Sequence, residues 1–305
     1  MIKRLQSSRF FNVIKTTFTI SVLCVFLFYG FQFGPLYKDL LKDIEVVWLL
    51  TVIGILMLQN VLAAWFTSTL VSEMSASLDF ISVLRIHVAR LPARYLPGGI
   101  WHVASKLYDF HSQGVKTSKL TGLAFYETSI PIMITLLIGG GVVFFSDLDL
   151  SWIWMRISLF AALVAMILII VCGALGRIKK FETLLVSRVI FYKACIVSAL
   201  YWALAGLGFS FYLGSLLGEV ALKNFTDVWG VYIFSWGIGN LAIFAPQGLG
   251  VLEWMVDSML PMLDGVGAMM VVAAGYRIMI FISDVLCFLI FTIGRLSKVR
   301  FSIKD

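Results

Sequence analysis

Apolar residues run along this chain in long blocks separated by short charged connections. Six blocks, at about 13–33, 45–70, 119–145, 152–173, 189–217 and 267–295, come close to the ~20 residues an α-helix needs to cross ~30 Å of hydrocarbon. Two further blocks, about 80–112 and 228–263, are apolar but interrupted. The first breaks at Leu96-Pro97-Gly98-Gly99, the second at Ala245-Pro246-Gln247-Gly248-Leu249-Gly250. In lipid, backbone that leaves the helix must be buried in protein or line a wet cavity. The pattern predicts an all-α polytopic membrane protein of six full spans plus two Pro/Gly-broken re-entrant hairpins. The alternative is eight helices, each hairpin being a short helix pair that crosses completely.

Composition agrees: 60% of residues are hydrophobic and 13% charged, with a mean hydropathy of +0.97. A soluble domain carries ~25% charged residues. The first block has no small-residue cleavage site after it and reads as a retained helix, not a secretory leader. The four cysteines, Cys24, Cys172, Cys195 and Cys287, are far apart in apolar surroundings, without the spacing of a metal or disulfide framework. They read as small buried hydrophobes. No metal and no cofactor is expected.

The formal charge of +7 invites a nucleic-acid reading, but its distribution excludes one. Basic residues gather at the N-terminus, after the second span (Arg85, Arg90, Arg94, Lys106, Lys116, Lys119), after the fourth (Arg177, Lys179, Lys180, Arg188, Lys193) and in the C-terminal tail. Acidic residues occupy the connections between them: Asp39, Asp43 and Glu45, Asp147 and Asp149, Glu219 and Asp227, then Glu253, Asp257 and Asp264. Lys and Arg accumulate in cytoplasmic loops, so both termini are placed in the cytoplasm. Region 80–112 then enters and leaves from the cytoplasm and region 228–263 from the outside. Each half, 1–146 and 147–305, has two spans, a broken hairpin and a third span, and three being odd, the second half is inverted. The whole of 1–305 reads as one transmembrane domain without a soluble one. Inverted repeats with paired broken helices are a common plan of secondary transporters, which bind substrate near those breaks.

Ionisable residues inside spans cost ~2.5–3.5 kcal/mol on insertion scales and are functional candidates by default. Glu127, Arg277 and Asp284 qualify. Arg277 and Asp284, seven apart, share a helix face two turns apart. Arg277 keeps its charge and can grip a phosphate with two parallel hydrogen bonds. The structural reading of the same residue is an ion pair with Asp284 or Glu127 that fixes helix packing. Glu127 is also readable as a solvated interfacial group. At the first break, Pro97, Gly98 and Gly99 end one helix and leave free N–H groups at the start of the next, a favoured place for anions. Arg90, Arg94, His102 and Lys106 around it make a phosphate cradle, or alternatively a non-specific contact with anionic headgroups. At the second break, Glu253 has three roles open to it: cation ligand, proton acceptor or partner of Arg277. His87 and His111 read as interfacial, the tryptophans as an interfacial belt, and Gly139-Gly140-Gly141 as a place of close helix packing.

Three motifs in order, Arg94-Tyr95-Leu96-Pro97-Gly98-Gly99-Ile100-Trp101-His102, Gly248-Leu249-Gly250-Val251-Leu252-Glu253 and Tyr276-Arg277, resemble the lysylphosphatidylglycerol synthase transmembrane family over nearly the whole chain. That family includes the membrane half of the bacterial multiple-peptide-resistance factor. The resemblance implies a polytopic helical fold with re-entrant elements and lipid flipping between leaflets, and it points to Pro97, Gly98, Gly99, Glu253 and Arg277. Two departures are visible: Lys106 stands where the family often has Arg, and Gln247 where it usually has Gly. The soluble aminoacyl-transferase domain is absent, so lysine transfer, and enzymatic activity generally, is not expected. The expected function is translocation of a phospholipid or lipid-linked glycan across the bacterial inner membrane, its headgroup phosphate held by Arg277, Lys106 and the first hairpin. Membrane lipid or lipid-linked sugar is the partner and self-association is open, whereas nucleic acid is excluded. Two rivals are a membrane-embedded transferase acting on a lipid or polyprenyl-phosphate acceptor, and a small-solute transporter driven by protons through Glu127 or Asp284.

Overall fold

The computed structural model describes residues 24, 27–28, 30–35, 37–42, 44, 46–74, 78–95, 101–148, 150–175, 186–242 and 245–302, with side chains omitted at Pro246 and beyond residue 293. Among these residues there is no strand. Ten helices follow residues 30–42: α1 (Val46–Val71), α2 (Phe80–Ala89), α3 (Trp101–Ser112), α4 (Thr117–Phe144), α5 (Trp152–Leu175), α6 (Arg188–Leu217), α7 (Glu219–Lys223), α8 (Phe225–Leu241), α9 (Val251–Met259) and α10 (Ala268–Ser302). Five have the length and apolarity of membrane spans: α1, α4, α5, α6 and α10 through Ile293. The described residues thus have the make-up of a helical membrane protein. The first predicted span, 13–33, and the break at Leu96–Ile100 (with Pro97, Gly98 and Gly99) fall largely or wholly outside the described residues.

Contacts divide the chain into two compact units, neither of which coincides with a sequence half. One unit holds Met1–Leu49, Thr135–Leu163 and Phe209–Arg277. Its core is aromatic: Phe209 stacks on Tyr232 with centroids 4.4 Å apart and meets Tyr276 edge-on at 5.2 Å. Buried phenol groups require partners. Tyr212 donates to the carbonyl of Val272 (3.0 Å) and shares a 2.7 Å hydrogen bond with Tyr37. The glycine triplet acts here as the sequence suggests for two of its three members. A Cβ on Gly139 would lie 2.5 Å from the backbone nitrogen of Phe234 in α8, and one on Gly140 2.7 Å from the carbonyl of Ser158 in α5, whereas Gly141 faces open space. Small residues are what allow membrane helices this approach.

The second break belongs to this unit. α8 stops at Leu241, and after Ala242 the chain turns through Pro246–Gly248 before α9 starts. Gln247, Gly248 and Gly250 all have positive φ, at 52°, 66° and 83°. Glycine enters that region at no steric cost, while a side chain pays ~1–2 kcal/mol. Gln247 is the one non-glycine there among the described residues, at the position where the sequence departs from the motif it resembles. After α9, Asp257 reaches forward and accepts hydrogen bonds from the backbone N–H groups of Gly267, Met269 and Met270 at 3.0–3.3 Å. It caps α10 from a distance, satisfying donors that a helix start leaves orphaned.

The other unit holds Leu50–Ile134, Val164–Gly208 and Ile278–Asp305. The segment 80–112, which the sequence reads as the first hairpin, lies within it. Asp79 caps α2 by accepting from the Ser82 N–H at 2.9 Å. The Ser82 hydrogen bonds, side chain before backbone, hold the Asp79 carboxyl below its ordinary range. The helix ends before Pro92, and a 3-10 turn over Leu91–Tyr95 carries the chain toward α3. Nearby, Glu73 accepts from the Ser187 N–H at 2.7 Å at the start of α6.

Of the cysteines, Cys195 is buried, Cys172 and Cys287 are half-buried and Cys24 is exposed; none is in a disulfide.

Candidate functional site

Among the described residues, charged clusters occur in both units. In the unit with the second break, Glu253 occupies the third position of α9 and is wholly buried. One of its carboxylate oxygens accepts from the Gly250 N–H at 2.7 Å, closing the helix start. The other accepts from the Arg277 Nε–H of α10. Arg277 also donates through an Nη to the carbonyl of Gln247 at 3.3 Å. A backbone carbonyl freed by the break and a buried carboxylate thus hold the guanidinium together. Its side chain keeps 27% accessibility, so the fork is braced from one side and reachable from another. Of the roles open to Glu253, the structure shows the pair with Arg277. Asp284, the other sequence candidate for that partnership, is engaged elsewhere.

In the unit with the first hairpin, Asp284 is buried at 2% accessibility and accepts three hydrogen bonds. They come from Arg94 (2.9 Å), Tyr95 (2.8 Å) and the amide of Asn60 (3.0 Å). Asn60 Oδ1 lies 3.4 Å from Nε2 of His87, whose Nδ1 has no partner among the described residues. A second pair joins Lys106 of α3 to Glu127 of α4 at 2.6 Å, with Thr67 donating to the same carboxylate oxygen. Arg90 grips Asp109 with two hydrogen bonds of 2.6 and 2.7 Å, and His102 Nδ1 lies 2.8 Å from the Arg90 carbonyl.

These pairings correct two expectations. Glu127 is not a solvated interfacial group: side-chain accessibility is 9% for it and 6% for Lys106. His87 is likewise buried rather than interfacial, because α2 turns its His87–Val88 face inward. They also change the character of the predicted phosphate cradle. Arg90, Arg94 and Lys106 each already face a carboxylate, so the cluster is charge-balanced rather than simply basic. Gly98 and Gly99, the backbone part of that cradle, lie outside the described residues. Sequence reasoning passed over Asn60 and Thr67, polar residues of α1 that complete the clusters. The available signal was the runs of polar residues, Gln59-Asn60 and Thr67-Ser68-Thr69, inside a span of otherwise high hydropathy. It also left Asp109, the partner of Arg90, unremarked.

No family model, no curated protein and no solved structure matches this chain.

Proposed function

We propose that this chain translocates a phospholipid or a lipid-linked glycan between the leaflets of a bacterial inner membrane, as a flippase of the lysylphosphatidylglycerol synthase transmembrane type. The resemblance rests on the motifs alone. The observation that carries the reading is Arg277: a permanent cation in a membrane span, next to a broken helix, held by a wholly buried carboxylate yet still accessible. A headgroup phosphate fits this fork as a carboxylate does. Arg277 exchanges Glu253 for phosphate during transport, and Glu253 keeps the Gly250 N–H while it waits. Lys106 and Arg94 make the equivalent exchange beside the first break.

The finer architecture belongs to the same proposal: six spans, two re-entrant hairpins, both termini in the cytoplasm and halves 1–146 and 147–305 in inverted relation. One correspondence supports the repeat. In each half, the second arm of the hairpin pairs with the span that follows, Lys106 with Glu127 and Glu253 with Arg277, with the signs exchanged.

The test is flipping of a fluorescent phospholipid in proteoliposomes, read by quenching of the outer leaflet. Arg277→Ala abolishes translocation. Arg277→Lys keeps the charge that neutralises Glu253 and so keeps the fold. It loses the fork and slows flipping about tenfold, the equivalent of one charge-assisted hydrogen bond. Wild-type rates in a folded Arg277→Lys and Arg277→Ala would remove this residue from the mechanism. A second reading, proton-coupled transport of a small solute, has the buried His87–Asn60–Asp284 chain in its favour. Vesicle uptake that follows a pH gradient and ignores lipid composition would select it instead.

A further inference from the structure

A groove of about 740 Å³ opens between α1, α2 and α6, within the unit that carries the first hairpin but lined by none of its paired charges. The volume is that of a ligand site, within the usual range of roughly 300–1,000 Å³. Its walls are Trp65, Phe80, Ile196 and Val197. Trp65 and Ile196 are 46% and 62% accessible on helices of membrane-span length, so the groove is open along a lipid-facing side. One charged residue lines it, Lys193, six residues into α6.

Lys193 differs from the hairpin cations. Arg90, Arg94 and Lys106 each have a carboxylate partner, whereas Lys193 has none among the described residues. Glu73, the acidic residue next to the groove wall at Ser72, is committed to the Ser187 N–H. Two of the three hydroxyls that line the groove are committed as well: Thr69 donates to the Trp65 carbonyl at 2.9 Å and Ser72 to the Thr69 carbonyl at 2.7 Å. Their protons are spent on backbone, which leaves the ammonium of Lys193 as the cationic donor for an anion, with the Ser68 hydroxyl as its neutral neighbour in the lining. An apolar trough with one uncompensated cation, flanked by lipid-facing residues, matches a molecule with a hydrocarbon chain and a single negative group.

We infer that this groove seats one anionic phospholipid, an acyl chain along Trp65, Phe80, Ile196 and Val197 and the phosphate on Lys193. This site goes beyond the flipping proposal and does not depend on it, since occupancy is read without transport. Native mass spectrometry of the full-length chain, extracted from vesicles of equimolar phosphatidylglycerol and phosphatidylcholine, tests it. The wild type retains one phosphatidylglycerol in preference to phosphatidylcholine. Lys193→Glu lowers that retention at least fivefold, the ratio equivalent to the ~1 kcal/mol that one basic residue contributes at an anionic surface. Ile196→Trp, a change at a lipid-facing position that leaves folding intact, fills the groove and displaces the lipid whatever its headgroup. Lys116→Glu, another exposed cation of the same unit that does not line the groove, leaves retention unchanged. Equal retention of the two lipids by the wild type, or unaltered retention in Lys193→Glu or Ile196→Trp, overturns the assignment. So would a Lys116→Glu loss as large as that of Lys193→Glu, which would mark a diffuse surface effect.

Discussion

Lys106 and Glu127 are both nearly closed off from their surroundings, so each depends on the other and on Thr67 for its polar contacts. Breaking a buried ion pair from one side strands the remaining charge and costs ~3–5 kcal/mol, while replacing both partners with apolar groups of similar size is close to neutral. Lys106→Met therefore lowers the melting temperature of the detergent-solubilised protein sharply, and Lys106→Met with Glu127→Leu recovers most of the loss. A double-mutant cycle reads the coupling directly, and additive single effects would refute it. The same logic makes Arg277 and Glu253 unequal. The arginine keeps some access to its surroundings, whereas the carboxylate has none, so losing Arg277 is the harsher change for folding. Asp284 is better protected, since Tyr95 and Asn60 still donate to it when Arg94 is withdrawn.

At the scale of elements, the contact of α4 with α8 yields a contrast between neighbouring glycines. Gly139→Ala pushes a methyl group into the backbone of Phe234, which has no flexible end to yield, and destabilises the protein by about 1–3 kcal/mol. Gly141→Ala meets open space and gains helix propensity, so it is neutral or stabilising by up to ~1 kcal/mol. Thermal denaturation of the two variants checks the pair; equal losses would contradict the packing. Five of the six predicted spans coincide with long apolar helices among the described residues, because a span must be apolar for about twenty residues and few other structures ask for that. The second break was legible too, since Pro246 disrupts a helix and Gly248 and Gly250 beside it readily take the positive φ that a turn needs. Partnerships were not. Arg277 and Asp284 sit seven apart on one helix, which places them on a shared face, yet each turns to a residue brought from another element. Helical periodicity gives the direction of a side chain and says nothing of what arrives opposite it. His87 shows the same limit: its sequence neighbours suit an interface, yet it lies on the buried face of α2, where Asn60 meets it.

For the molecule as a whole, the decisive measurement is sidedness. On a cysteine-free background, Met74→Cys and Gln113→Cys bracket the first hairpin, and Lys223→Cys and Asp264→Cys bracket the second. With re-entrant hairpins, membrane-impermeant maleimide labels the first pair from the cytoplasm and the second pair from outside. Opposite sidedness within either pair would mean that segment crosses completely an odd number of times, and the inverted plan would fall. The charge pairs carry a further implication, for biogenesis. Glu127, Arg277 and Asp284, the candidates within the spans, have Lys106, Glu253 and Arg94 as partners, and in every case the partner precedes them in the chain. A nascent chain leaving the ribosome has therefore already delivered each counter-ion before the span that needs it reaches the insertion machinery. The apolar part of α10, through Ile293, which carries Arg277 and Asp284, emerges after both of their counterparts and meets them already in place.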